Sequence, residues 1–179
     1  MELSLELFSQ DLYGLTFDFK VNPLSCGNNE HYEQYIRFSA LSDASQRYST
    51  THVLVGSEDG HRRILGFVTL RASSYIKRSG AVSHGESALE VMELAVDRRY
   101  ERRGFGSLLM DYAVSLADDI NSYYMAIKYI VVCADRQALP FYSEYGFSQV
   151  SDYGEIPHNG ANDDCIPMFL QLNSEPLSP

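Results

Sequence analysis

The 179 residues carry 24 Asp and Glu against 14 Lys and Arg, a formal net charge of −10. An acid excess of this size excludes a broad nucleic-acid surface, whose affinity comes from neutralising phosphates, but it leaves room for a local basic patch and for a cationic acceptor. With 45% apolar residues the chain has material for one domain with a sizeable core, and no apolar run reaches the ~20 residues needed to span a bilayer.

The start of the chain, MELSLELFSQ, lacks the basic opening and long apolar stretch of a secretory signal. Cys26, Cys133 and Cys165 are an odd, widely spaced set without metal-ligand spacing, so we expect reduced thiols, a cytoplasmic setting and no metal site. Residues 3–8 and 15–21 each alternate apolar and polar side chains and predict two strands, the first at an edge. Residues 22–29 (NPLSCGNN) carry turn chemistry. Over 30–41, Tyr32, Tyr35, Ile36 and Leu41 fall at near-helical spacing and predict a helix. Residues 51–55 and 64–71 read as a hairpin around GSEDG at 56–60. The polar stretch 73–87, with His84 and Glu86, reads as a long connection that could cover an acceptor site.

The most informative stretch is 88–120. It opens with an apolar run, 88–96, of the length of a buried strand. A charged turn follows, with Arg98, Arg99, Arg102 and Arg103, and then Gly104, Phe105 and Gly106. A helix starts at once, with Leu109, Ala113, Leu116 and Ile120 on one face. Strand, glycine turn and helix N-terminus in that order make an anion site, because the first helical amides have no partner within the helix and the macrodipole adds positive charge there. Further on, YIVVC at 129–133 predicts a buried strand. Residues 136–145 predict a short helix with Pro140 in its first turns and Gly146 as its C-cap. Residues 147–150 and 165–172 predict the last strands, 151–164 a polar loop, and 173–179 a frayed tail after one domain, 1–172.

Two blocks carry a resemblance. Glu101 to Gly106 (ERRGFG) resembles the Gln/Arg-x-x-Gly-x-Gly/Ala motif with which the GNAT superfamily of N-acetyltransferases cradles the pyrophosphate of acetyl-CoA, with Glu101 where the family prefers Gln or Arg. ALPFYSEYGF at 138–147 is similar to the family's A-x-x-FY-x-x-x-GF block, and the two stand in the family's order. The resemblance spans roughly 51–172. The Cys-Gly-Asn at 26–28 ahead of a Tyr-Ile helix is similar to the branch that includes the acetyltransferase toxins of bacterial toxin–antitoxin pairs.

The resemblance implies a GNAT-like α/β (α+β) domain with a mixed, mostly antiparallel sheet flanked by helices. It implies an acetyl-CoA-dependent transfer of an acetyl group to a primary amine, direct and in a ternary complex. The splayed strand would lay Leu94, Ala95 and Val96 along the cofactor, with the amides of Gly104, Phe105, Gly106 and Ser107 on the diphosphate and Arg102 and Arg103 flanking it. Asp135 stands where many relatives have an Asn on the pantetheine arm. Tyr142 holds the tyrosine position whose phenol protonates the leaving thiolate, a role suited to a group that keeps its proton at neutral pH. The base is open between Glu90, Glu93 and water. The two glutamates differ in parity and so face opposite sides of a regular strand; only a bulge would bring them together. His84 and Glu86 are more distant candidates, and Cys133 is the rival nucleophile that a covalent route would need. Three acceptor readings stay open: a small amine or protein amine, aminoacyl-tRNA, or none, in a module that binds CoA without catalysis. Of partners, a homodimer and an antitoxin stay open too.

Overall fold

A computed structural model describes residues 1–22, 29–58, 60–151, 154–157 and 165–172. The apolar runs of the sequence become strands β1 (Glu2–Leu7), β2 (Thr50–Glu58), β3 (His61–Ser79), β4 (Val82–Val96), β5 (Tyr129–Ala134), β6 (Ser148–Gln149), β7 (Gly154–Glu155) and β8 (Ile166–Gln171). Among the described residues they form one eight-stranded sheet in the order β1-β2-β3-β4-β5-β8-β6, with β7 added onto β3. Every pairing is antiparallel except β4 with β5. The expected mixed, mostly antiparallel α/β architecture is therefore present.

Helices cover both faces. On one side lie α3 (Phe105–Tyr123) and α4 (Leu139–Tyr145), which bury Leu109, Met110, Ala113 and Tyr142 against Val68, Leu89 and Ile130 of the sheet. On the other lie a 3-10 helix (Gln10–Asp18) and α1 (Asn29–Gln34), which runs through a turn of π-helix (Tyr35–Ser39) into α2 (Ala40–Ser45). This second layer packs Leu12, Phe19, Tyr35 and Ile36 on Val53, Phe67 and Ala95. Strands buried on both faces read as continuous apolar runs, and 64–70 and 88–91 are buried at every position.

Four expectations change. Residues 15–21 are not a strand: Leu12, Thr16 and Phe19 are the buried positions, a helical spacing that the alternation of LTFDFKV concealed. Residues 73–87 are not a loose connection. They continue β3 and β4 as one long hairpin, in register from Ser73↔Ala88 to Ser79↔Val82, with Gly80 at φ 62° in its tip. Their polar side chains reflect exposure of the hairpin rather than lack of structure. Within the expected loop 151–164, Gly154 and Glu155 pair with Lys77 and Ile76. Finally, Cys133 and Cys165 are joined in a disulfide with their Cα atoms 5.4 Å apart, so the set is not three reduced thiols. Antiparallel pairing of β5 with β8 brings the two cysteines together across 32 residues of chain, a distance over which spacing carries no signal. Cys26 with the turn around it, most of the 151–164 loop and the tail 173–179 lie outside the described residues.

Gly66 fixes how closely α3 docks on the sheet. A Cβ there would stand 2.8 Å from the Ala95 carbonyl oxygen and 3.0 Å from Leu109 Cδ1. The backbone oxygen has nowhere to go, because β3 and β4 are paired at this point. Gly66→Ala should therefore cost about 1–3 kcal/mol, the usual range for overpacking. Urea unfolding should show a lower midpoint at unchanged slope.

Candidate active site

The site begins where two strands part. β4 and β5 pair in parallel from Ala88↔Tyr129 to Val91↔Val132 and no further. At the next residue β4 has one more residue than its other neighbour. Thr69 pairs with Glu93 and Leu70 with Val91, so Met92 is a bulge. Beyond it, β4 runs on beside β3 while its β5 side opens into a gap. The Asp97 N–H donates to Leu65 O of β3 at 2.8 Å. Antiparallel alternation then turns the Glu93 and Ala95 N–H groups toward β3 and those of Leu94 and Val96 into the gap. Sequence reasoning had placed Leu94, Ala95 and Val96 there, and the outward pair is Leu94 and Val96.

At the end of β4 the chain enters the arginine turn. Asp97 is fully buried and accepts from Lys20 N (3.0 Å), Arg99 N (2.9 Å), Arg99 Nε (2.8 Å) and Arg99 Nη2 (2.9 Å). Arg99 also donates to Asp18 at 2.9 Å, so it braces the turn rather than facing the gap. Arg102 has φ 58° and Gly104 φ 83°, the latter as N-cap of α3. No side chain caps α3, and its first return bond is Leu108 N to Gly104 O at 3.0 Å. The amides of Phe105, Gly106 and Ser107 are thus left for an anion, as expected. A Cβ on Gly106 would meet nothing nearer than Phe141 at 3.6 Å, so this glycine leaves open space against the loop. Arg98, Arg102 and Arg103 are exposed, with the Arg103 guanidinium 5.4 Å from the Tyr100 ring centroid. Glu101, which departs from the family motif, accepts from Asn22 Nδ2 at 3.2 Å, which ties the turn to the end of the first layer.

A chain of polar side chains crosses the gap. Asp135 follows β5 on the far wall and accepts from the Tyr32 phenol at 2.9 Å. Burial and the Asp135 charge push that phenol above its ordinary range, and Tyr142 is close enough to add to the effect. Tyr142 itself is 5% exposed, edge-on to Phe141 (5.1 Å) and Phe147 (5.4 Å). From the near wall Glu93 meets His31 of α1, with Oε1 2.7 Å from Nε2. Burial pushes the Glu93 carboxyl up, an effect that His31 opposes. The bond to Glu93 pushes the His31 imidazole up in turn.

The bulge decides the glutamates. Leu89 and Val91 face the α3 layer, as do Leu94 and Val96, so the extra residue puts Glu90 and Glu93 on the same opposite face. Their surroundings still differ. Glu90 is 5% exposed and held by Arg71 at 2.9 and 2.8 Å, with Arg71 also bonded to Tyr48. His84 and Glu86 sit at the other end of β4 from the gap. There Glu86 is fixed by Lys128 (2.7 Å) and Lys77 (3.0 Å), which hold its carboxyl down at about 2. The structure therefore gathers Glu93, Leu94, Val96, Asp135 and Tyr142 with the α3 N-terminus and leaves Glu90, His84 and Glu86 aside. His31 and Tyr32 are the residues that sequence reasoning missed. Their position at the start of a Tyr-rich helix gave no sign that the helix would lie across β4. Among the described residues no group of His, Cys, Asp and Glu is arranged to hold a metal, and no helix is long and apolar enough to cross a membrane.

The fold matches solved structures along nearly its whole length. A mutant of KacT superposes with a TM-score of 0.74 at 17% identity, covering 96% of this chain and 95% of that one. A mutant of the toxin AtaT, bound to the C-terminus of the antitoxin AtaR and acetyl-CoA, gives 0.68 at 19%, covering 96% and 94%. AtaT complexed with acetyl-methionyl-tRNAfMet gives 0.69 at 18%, covering 93% and 94%. No curated protein matches the sequence. The sequence model of the Acetyltransferase (GNAT) family matches residues 12–147, a span that holds the parted strands, the uncapped helix and the Tyr142 helix. The chain belongs to that family and is an acetyltransferase that uses acetyl-CoA.

Proposed function

We propose that the protein transfers the acetyl group of acetyl-CoA directly to a primary amine, with both substrates bound together. The observation that carries this is the gap between β4 and β5, with the Leu94 and Val96 N–H groups turned into it, the uncapped α3 N-terminus at one end and Tyr142 in the opposite wall. Backbone amides at the gap polarise a thioester carbonyl and hold the oxyanion that develops on attack. The amides of Phe105, Gly106 and Ser107 hold the diphosphate, and Arg102 and Arg103 add charge beside it. Asp135 and Tyr32 line the arm's path. Tyr142 gives its phenolic proton to the sulfur as the C–S bond breaks. Glu90 serves the sheet: its ion pair with Arg71 engages both of its oxygens. Cys133 is engaged with Cys165, which supports a route without a covalent enzyme intermediate.

Aminoacyl-tRNA is the acceptor that a specific observation favours, since one structure of the same fold is AtaT complexed with acetyl-methionyl-tRNAfMet. A net charge of −10 opposes a broad RNA surface, but an amine at a strand end asks only for local contacts, and Arg98, Arg102 and Arg103 are exposed beside the gap. Acetylation assays with aminoacyl-tRNA, a peptide with an unblocked N-terminus and spermidine separate the acceptors. Translation arrest on expression, relieved by Tyr142→Phe, would support the tRNA.

Tyr142→Phe should lower kcat by about 10²-fold or more, the usual worth of a general acid. Acetyl-CoA binding by calorimetry should stay essentially unchanged. Ser107→Glu separates stability from binding. A carboxylate in the first turn of α3 stabilises the helix by about 0.3–1 kcal/mol through the dipole, yet it repels a diphosphate at the same amides. The unliganded protein should melt no lower than wild type, while protection by acetyl-CoA in a thermal shift assay falls.

A further inference from the structure

Tyr142 supplies a proton to the departing sulfur, but an amine acceptor must also lose one. The groups that face this part of the gap are Glu93 on β4, His31 and Tyr32 on α1, Tyr35 in the π turn, Asp135 after β5 and Tyr142 on α4; Asp43 on α2 acts on Glu93 from a greater distance. Tyr35 is occupied with Asp43 (3.1 Å) and Ser49 (3.2 Å). Tyr32 is occupied with Asp135, which receives its proton. Two groups are left, bonded to each other. The Glu93 side chain is 11% exposed and that of His31 34%. The carboxylate lies behind and the imidazole in front, so an incoming amine meets the imidazole.

We propose that His31, oriented by Glu93, is the catalytic base that takes the proton of the acceptor amine; this rests on the acetyl-transfer reading above. Neutral His31 gives its Nε2–H to the Glu93 carboxylate, which fixes the tautomer and keeps the basic lone pair on Nδ1. The amine nitrogen bonds to the acetyl carbon, and its proton passes to the His31 ring. The C–S bond breaks, and the sulfur takes the Tyr142 proton. His31 later releases its proton to solvent, and the Tyr142 phenolate recovers one from solvent. Glu93 is a positioning residue in this scheme, since it acts through His31. It also stabilises the imidazolium formed in the step and so raises the ring's proton affinity, with Asp135 adding to the effect. A base tuned upward from the ordinary histidine range toward the working pH is well matched to its task.

The sign of the pH dependence follows. His31 accepts a proton only when neutral, so activity falls as pH drops through its pKa. Removing the Glu93 charge lowers that pKa and shifts the fall to lower pH. The test measures kcat/KM against pH for wild type, His31→Gln, His31→Asn and Glu93→Gln, with aminoacyl-tRNA, a peptide with an unblocked N-terminus and spermidine as acceptors. In parallel, NMR follows the His31 ring through its titration, assigned by its loss in His31→Gln. Both His31 variants should bind acetyl-CoA and lose about 10²-fold or more in kcat. Glu93→Gln should keep more activity than they do at alkaline pH, with its acid limb and its His31 titration midpoint both moved to lower pH. Wild-type turnover in a His31 variant that binds acetyl-CoA would overturn the proposal. So would a titration midpoint that does not move in Glu93→Gln, a measurement that needs neither an acceptor nor a stable His31 variant. A wild-type protein that binds acetyl-CoA and acetylates none of the three acceptors would instead defeat the acetyl-transfer reading, and this proposal with it.

Discussion

One surplus residue in β4 governs the site. Met92 interrupts the ladder with β3 at the point where pairing with β5 stops, after Val91↔Val132. A peptide N–H left unpaired in a protein interior costs roughly 1–3 kcal/mol, so strands do not part without a use for the amides they expose. Here the exposed pair, Leu94 and Val96, lies directly before a turn that leads into an uncapped helix N-terminus. The two sets of unsatisfied donors share one gap and differ in what they suit. Strand amides can point at a single carbonyl oxygen, and helix amides can surround a phosphate. A thioester joined to a diphosphate by a flexible arm is the kind of molecule that satisfies both.

The two ends of the gap are also mechanically joined. Asp97 anchors the arginine turn and accepts from the Lys20 amide. The Lys20 side chain bonds Glu33 of α1, and Arg37 of the π turn donates to Phe19 O and Thr16 O at 3.2 Å. The helix that presents His31 and Tyr32 is therefore tied, through the strap at 16–20, to the loop that offers its amides to the diphosphate. A buried carboxylate with four donors is costly to disturb, because removing it would strand those donors together. The first layer is thus more than a cover for the sheet, since it holds the residues on the near side of the gap in position.

What could be read in advance follows from how local each signal is. The strand at 88–96, the glycine turn and α3 were legible because each is written in adjacent residues, as was the helix stop at Gly146, which takes φ 104°. The helix over 30–41 was legible from Tyr35 and Ile36, although it runs on to Ser45. The bulge was not, because an apolar run buried on both faces has no alternation for an inserted residue to break. Without the bulge, parity assigned Glu90 and Glu93 to opposite faces; with it, they share one. The Cys133–Cys165 bond, the Glu90–Arg71 pair and the His31–Glu93 pair depend on which strands and helices become neighbours, and no spacing along the chain records that.

The divergence of these two glutamates is a lesson in what a partner does. They lie on the same strand and the same face, each largely removed from water and each bonded to one basic side chain. Arg71 is planar, bidentate and charged at any pH a protein survives, so it has no proton to trade and holds Glu90 as a fixed carboxylate. His31 makes one bond, keeps a third of its side chain exposed and can gain or lose a proton near neutrality. The same carboxylate chemistry becomes a strut beside the guanidinium and part of a proton-handling pair beside the imidazole. Position on the strand determined that both could reach this face, and the titration range of the neighbour determines which of them can respond to an acceptor.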